Sequence, residues 1–299
     1  MIPKTLHYVF GMAPDAGGKP WSLVHYACLK SAVERIRPKD VYFYCEYEPR
    51  GPWWELTRKL VDLEKIKAPR EIFGNPVIHP AHRADVVRLE KLISRGGIYL
   101  DADVFVHRPF DDLLSSATVL GKQVVDGAEF GFCNALILSE AQAPFLKRWF
   151  AEYHCFRSRG RDLFWDEHSV QIPLKLFRQF PQEVTALPHF AFFWPTFEPE
   201  GIRLIFDSSA EIDASKAYAT HLWESVAWEP YLEYLTPGRV RAMDSNFHRW
   251  VRPLVASLPD AYGGPTFSDH MTLAARALKK RVRSVAPSWT IRLKRRIFG

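Results

Sequence analysis

A chain of 299 residues, 47% hydrophobic and 25% charged, can bury a substantial core, and no apolar run in it is long enough to cross a bilayer. Much of the net charge of +6 comes from a late basic stretch, Lys279 to Arg296, with no groove-reading motif beside it, so no nucleic-acid partner is expected. The four cysteines, Cys28, Cys45, Cys133 and Cys155, have no C-x-x-C spacing; this excludes a zinc ribbon or disulfide framework and predicts buried free thiols.

Met1 to Lys4 leads directly into Thr5 to Phe10, an apolar run stopped by Gly11, which reads as a strand feeding a loop. This leaves no room for a signal-peptide core, so a cytoplasmic chain is expected. Apolar residues recur at helical spacing from Ser22 to Arg37, and Val41 to Cys45 reads as a buried strand. Strand, helix, strand predicts an α/β fold with a mostly parallel sheet flanked by helices. Helices are expected over Trp53 to Leu63 and from His79 or Pro80 to Arg95, where Gly96-Gly97 stops the second. Ile98 to Leu100 is then a short central strand with Asp101-Ala-Asp103 at its C-terminal end, where open α/β sheets bind ligands.

Further on, Phe130 to Leu138 reads as a strand, Pro144 to Tyr153 as a helix, and Asp166 to Phe180 as a helix interrupted at Pro173. Val184 to Phe197 is rich in aromatics and proline, and the last third is not assigned. The expected organisation is a catalytic domain over residues 1–240 and an irregular helical extension over 241–299. The tail interleaves cations with Trp289, Ile291, Leu293, Ile297 and Phe298, which suits either an anionic membrane surface, at the inner membrane face, or a solvated helix.

Two carboxylates at a strand end, where the backbone turns, can approach one hard cation, Mg²⁺ or Mn²⁺, that offsets the charge of a departing diphosphate. Asp85 and Arg88, three apart on the preceding helix, share one face, either as part of that site or as a surface ion pair.

The stretch from Ala84 to Asp103, with Asp85, Arg88, Gly96-Gly97, Tyr99, Asp101 and Asp103 in order, resembles the DXD-motif sugar transferases. That group contains yeast-type initiating mannosyltransferases, bacterial capsule and lipopolysaccharide transferases and large clostridial glucosylating toxins. Ile2 to Gly11, Asn134 to Ser139, and His221-Leu-Trp223 with Ser225 and Trp228 are similar to other segments of the family.

The resemblance implies a GT-A type fold, a nucleotide-sugar donor carrying UDP or GDP, retention of configuration, and a glycan, lipid-linked or protein acceptor. It implies that Phe10 sits against the base and that the backbone from His7 through Val9 to Gly11 accepts its edge hydrogen bonds. Asp101 would contact the ribose and reach the cation through water, while Asp103 would ligate it directly. His221 would complete the metal site, and the Trp223 indole would donate to a phosphate. Asp85 and Arg88 would hold the sugar, and Asn134 would support charge on it. No second carboxylate stands out as a nucleophile, so front-face attack is expected.

Other residues carry less. His79 and His82 read as helix N-terminal polar groups, Trp53-Trp54 as core or acceptor platform, and Asp166-Glu167-His168 as a cap or an acid–base group. A metal-dependent phosphoesterase and a binding protein acting through its basic tail are the rival readings.

Overall fold

The computed structural model describes residues 1–14, 19–212, 216–265 and 269. Its elements begin with β1 (Thr5–Val9), α1 (Leu23–Ile36), β2 (Asp40–Cys45), α2 (Pro52–Thr57) and β3 (Asp62–Lys65). A small hairpin, β4 (Glu71–Ile72) and β5 (Asn75–Pro76), precedes α3 (Pro80–Arg95), β6 (Gly97–Leu100) and β7 (Val104–Val106). Then come β8 (Thr118–Val125), β9 (Ala128–Ser139), α4 (Pro144–Ala151), α5 (Ile172–Gln179), β10 (Thr185–Leu187) and α6 (Pro199–Phe206). The described chain closes with β11 (Ala219–His221), α7 (Glu224–Ala227), α8 (Pro237–Ala242) and α9 (Asn246–Val251).

Seven strands form one sheet in the order β10-β8-β9-β6-β1-β2-β3. β6, β1, β2 and β3 run parallel, β10 is parallel to β8, and only β9 opposes its neighbours. The mostly parallel α/β sheet expected from the sequence is therefore present. Alternation along β1 divides the core: Leu6 and Tyr8 join the cluster that includes α1, while Val9 joins the one that includes α3. Burial on both faces is why the strand segments read as continuous apolar runs. From β1 the chain reaches β2 on one side through α1 and, later, β6 on the other through α3. Such a switch point opens a crevice beyond the C-terminal ends of β1 and β6.

The stop after α3 requires glycine. Gly97 has φ +120°, and a Cβ there would lie 2.7 Å from both His7 Nε2 and the Thr5 carbonyl. His7 is fully buried; its Nε2–H donates to the Gly96 carbonyl (2.8 Å), and its Nδ1 accepts from the Tyr44 hydroxyl (3.0 Å). Gly97→Ala should therefore cost about 2–4 kcal/mol, combining positive-φ strain with overpacking, measurable as a lower urea midpoint. Burial lowers the His7 pKa from 6.5 to about 4, and the imidazole stays neutral. Between those values the unfolded chain binds a proton that the folded chain does not, so stability falls as pH drops from 6.5 to 4. His248, likewise held at about 4 by burial, acts over the same window. A loss of about 3 kcal/mol per such histidine is expected in denaturant melts compared at pH 7 and pH 4; an unchanged midpoint would contradict it.

Several expectations are corrected. The helix expected to reach Leu63 ends at Thr57, because Asp62–Lys65 is recruited as a strand onto β2 (Tyr42↔Asp62, Cys45↔Lys65), and sheet pairing overrides helical periodicity. Pro173 does not interrupt a helix. It lies in the first turn of α5, where its missing N–H costs nothing, after a π-turn over Glu167–Gln171. The compact unit runs Met1–Gly263, so residues 241–263 belong to the main body and the boundary does not fall at 240. Cys28, Cys45 and Cys133 are buried free thiols, but Cys155 is exposed. No helix among the described residues is long and apolar enough to cross a membrane. The basic tail from Lys279 onward lies outside the described residues.

Candidate active site

Asp101 continues the sheet, its N–H donating to the Ala135 carbonyl at 2.8 Å, and the chain then turns so that Val104 N–H reaches the Asp101 carbonyl at 3.1 Å. That turn brings together two acids that an extended strand would send to opposite faces. β7 pairs antiparallel with β11 in the register His221↔Val104, and the Leu222 N–H donates to the Asp103 carbonyl at 2.9 Å. His221 is thereby delivered from 118 residues downstream. Ligand atoms of Asp101, Asp103 and His221 all lie within 4.8 Å of one another. Among the described residues this is the one such cluster of three His, Cys, Asp or Glu side chains.

Asp103 Oδ2 accepts from the Glu224 N–H at 2.8 Å and lies 3.2 Å from His221 Nε2. Burial alone would raise the Asp103 carboxyl, but the His221 imidazole beside it holds it well below the usual range. Burial alone would lower His221, and the Asp103 carboxylate outweighs that and raises it well above its ordinary value. The buried Cys133 thiol also neighbours the His221 ring and favours its charged form. Desolvation pushes the Asp101 carboxyl up, even with Arg88 opposing it.

Next to this triad lies a buried ionic network. Asp85 and Arg88 are 6% and 4% exposed, so the surface ion pair considered from sequence is not what α3 carries. Arg88 Nη2 contacts Asp85 Oδ1 (3.1 Å) and Asp101 Oδ1 (3.2 Å), while Nη1 donates to the Asn134 carbonyl (2.7 Å). Its guanidinium stacks 4.3 Å from the Tyr99 ring, and the Tyr99 hydroxyl donates to Asp101 Oδ1 at 2.5 Å. Asn134 Nδ2 donates to Asp85 Oδ1 (2.8 Å), and His82 Nδ1–H donates to Asp85 Oδ2 (3.2 Å). Burial would raise Asp85, but Arg88, His82 and Asn134 together keep it below its ordinary value. One permanent cation thus serves a buried carboxylate, Asp85, and a partly exposed one, Asp101.

All of these residues except the fully buried Tyr99 line a cavity of about 550 Å³, which Val9, Phe10, Trp223 and Ser225 also border. Phe10 and Lys19 are shared with an adjoining cavity of about 960 Å³ that Trp21, Tyr47 and Trp54 line. Phe10 packs edge-on against Trp21 with centroids 5.0 Å apart.

Several assigned roles are not supported by this geometry. The Trp223 indole N–H donates to the Pro195 carbonyl (2.8 Å) and is not free for a phosphate. His7 lies between sheet and α3, away from both cavities, whereas Val9 borders the smaller one. The Gly11 carbonyl accepts from the Tyr47 N–H at 3.0 Å, which uses one of its two lone pairs. Asn134 borders the smaller cavity and donates its amide to Asp85. Trp53 and Trp54 are core residues, although Trp54 also borders the larger cavity.

Sequence reading missed His25, Glu224 and Lys19. His25, fully buried in α1, contacts Glu224 Oε1 at 3.1 Å, and Lys19 Nζ donates to the Glu224 carbonyl at 3.3 Å. The available signal was weak: a histidine on the inward face of α1. It also took His82 for a helix-terminal residue, although it is buried against Asp85.

The family model described as a glycosyltransferase sugar-binding region containing a DXD motif matches residues 25–120. Glucan organizing enzyme 1 of Cryptococcus neoformans var. grubii is 39% identical over 270 residues, covering 87% of this chain and 72% of that protein. Among solved structures, the WbbM bifunctional glycosyltransferase is similar at 12% identity and a TM-score of 0.49, covering 86% of this chain and 50% of that one. The galactosyltransferase LgtC, solved with donor and acceptor sugar analogues, is similar at 14% identity and a TM-score of 0.42, over 86% of this chain and 98% of that one. The chain belongs to the glycosyltransferases whose sugar-binding region contains the DXD motif.

Proposed function

We propose that this glycosyltransferase moves a hexose from a UDP- or GDP-sugar to a glycan, with retention of configuration and with a divalent cation held by Asp101, Asp103 and His221. The observation that carries the reading is that these three side chains converge within 4.8 Å on a cavity also lined by Asp85 and Arg88. Two carboxylates and one imidazole suit Mn²⁺ better than Mg²⁺, which prefers oxygen donors alone. A bound cation would offset the negative charge gathering on the departing diphosphate.

Arg88, held charged by Asp85 and Asp101, adds fixed positive potential beside the sugar. Both Asp85 oxygens are occupied, by Asn134 and Arg88 on one side and His82 on the other, so Asp85 is a poor nucleophile. This favours front-face attack, in which the departing phosphate oxygen takes the acceptor's proton. The cavity beyond Phe10 is the place for the base. A glucan acceptor is supported by the name of the Cryptococcus relative, which spans most of this chain. Incubation with UDP-glucose or GDP-mannose and Mn²⁺ should release nucleoside diphosphate, and EDTA should stop it. Release that persists undiminished in EDTA would overturn the cation's role.

A further inference from the structure

The cavity has a wall that the donor does not claim. The cation triad takes the diphosphate, the Phe10 side takes the base, and Asp85, Arg88 and Asn134 take the sugar. Part of what remains is contributed by the loop between α4 and α5, which projects Arg161, Trp165 and Asp166 to the cavity, beside Gln123 and Phe197 from other elements.

This loop is pre-organised. Its neck is closed by a bidentate pair ten residues apart, Arg157 Nη2 to Glu167 Oε1 (2.5 Å) and Nε to Oε2 (3.0 Å). Inside it, Asp162 accepts from the Arg159 N–H (2.7 Å), the Phe164 N–H (3.0 Å) and the Ser158 hydroxyl (3.0 Å). Its polar tie to α3 is the hydrogen bond shared by Ser158 Oγ and His82 Nε2 at 3.0 Å, both residues being buried. Above that bond the Trp165 ring packs on His79 and His82, with centroids 4.8 and 4.7 Å away. His82 also donates to Asp85, so a chain of polar contacts runs Asn134–Asp85–His82–Ser158–Asp162 from the sugar site into the loop, with the single Ser158 hydroxyl proton given to one acceptor at a time.

We infer that this loop is the acceptor wall, and that Ser158 and His82 are positioning residues that fix it relative to the sugar site. An indole face beside a guanidinium and a carboxylate suits a neutral, polyhydroxylated ring: the apolar ring face packs on Trp165, and the hydroxyls pair with Arg161 and Asp166. The acceptor class is accordingly a saccharide. Fixing the loop through these bonds limits the ordering cost when the acceptor binds.

The inference rests on the transferase reading above, and its test separates the two. With UDP-glucose and Mn²⁺, the full chain is assayed for transfer to water and for transfer to a soluble glucan oligosaccharide. Ser158→Ala should raise the KM for the oligosaccharide about tenfold while leaving donor KM and transfer to water within about twofold of the parent. Arg161→Ala, at an exposed side chain that threatens no core, should also raise the oligosaccharide KM, so the test stands even if Ser158→Ala folds poorly. His82→Ala, which also loosens Asp85, should affect both KM values. An oligosaccharide KM unchanged in both Ser158→Ala and Arg161→Ala, or a donor KM that rises in step with it, overturns the inference. A parent protein that turns over no donor, or transfers to water alone, overturns the functional reading beneath it.

Discussion

Asp103→Asn should abolish nearly all nucleoside diphosphate release, by about a thousandfold in kcat, without unfolding the chain. The substituted amide oxygen can still accept the Glu224 N–H that now reaches Asp103 Oδ2 at 2.8 Å, so the local backbone is preserved. What is lost is the negative charge beside His221 and one ligand of the converging set. Removing His221 instead should give a comparable loss, since the two are brought together by the same β7–β11 ribbon. Steady-state release of diphosphate, with circular dichroism as the control for folding, checks this; a kcat within tenfold of the parent would count against the cation site.

Arg88→Met should be the most destabilising single change at the site. It leaves Asp85 buried, and Asp101 partly exposed, without their shared cation and strips the Asn134 carbonyl of the Arg88 donor. Breaking a buried ion pair by deleting one partner costs about 3–5 kcal/mol. Arg88→Lys should recover part of that stability and little activity, because a single ammonium cannot serve Asp85, Asp101 and the Asn134 carbonyl together. Urea unfolding of the two variants beside the parent measures the effect. A Met variant as stable as the parent would mean that these carboxylates do not depend on Arg88.

Much of the fold is written in local patterns. The α3 span is bounded by His79, whose Nδ1 accepts from the Ala81 N–H at 3.1 Å, and by Gly96, which is why its limits were readable. The acids of the D-x-D follow immediately, and a glycine stop, a short buried strand and a turn place them at the sheet edge. By contrast, β3 is a four-residue edge strand with no apolar alternation, visible only through its pairing with β2. At the site, the long-range partners were hidden. Nothing local to Ser158 signals a bond to a residue 76 positions earlier, and nothing near Trp223 signals that its indole turns to Pro195. His7 misled for a related reason. It lies on the strand that leads to the site, but on the face that locks the Gly96-Gly97 turn.

Mn²⁺ binding to the full chain, followed by isothermal titration with nucleoside diphosphate present, tests most directly whether a cation occupies the convergence of Asp101, Asp103 and His221. One ion per chain is expected, with affinity falling at least about tenfold in both Asp103→Asn and His221→Ala. Equal affinity and stoichiometry in the parent and both variants would place the ion elsewhere and contradict the account.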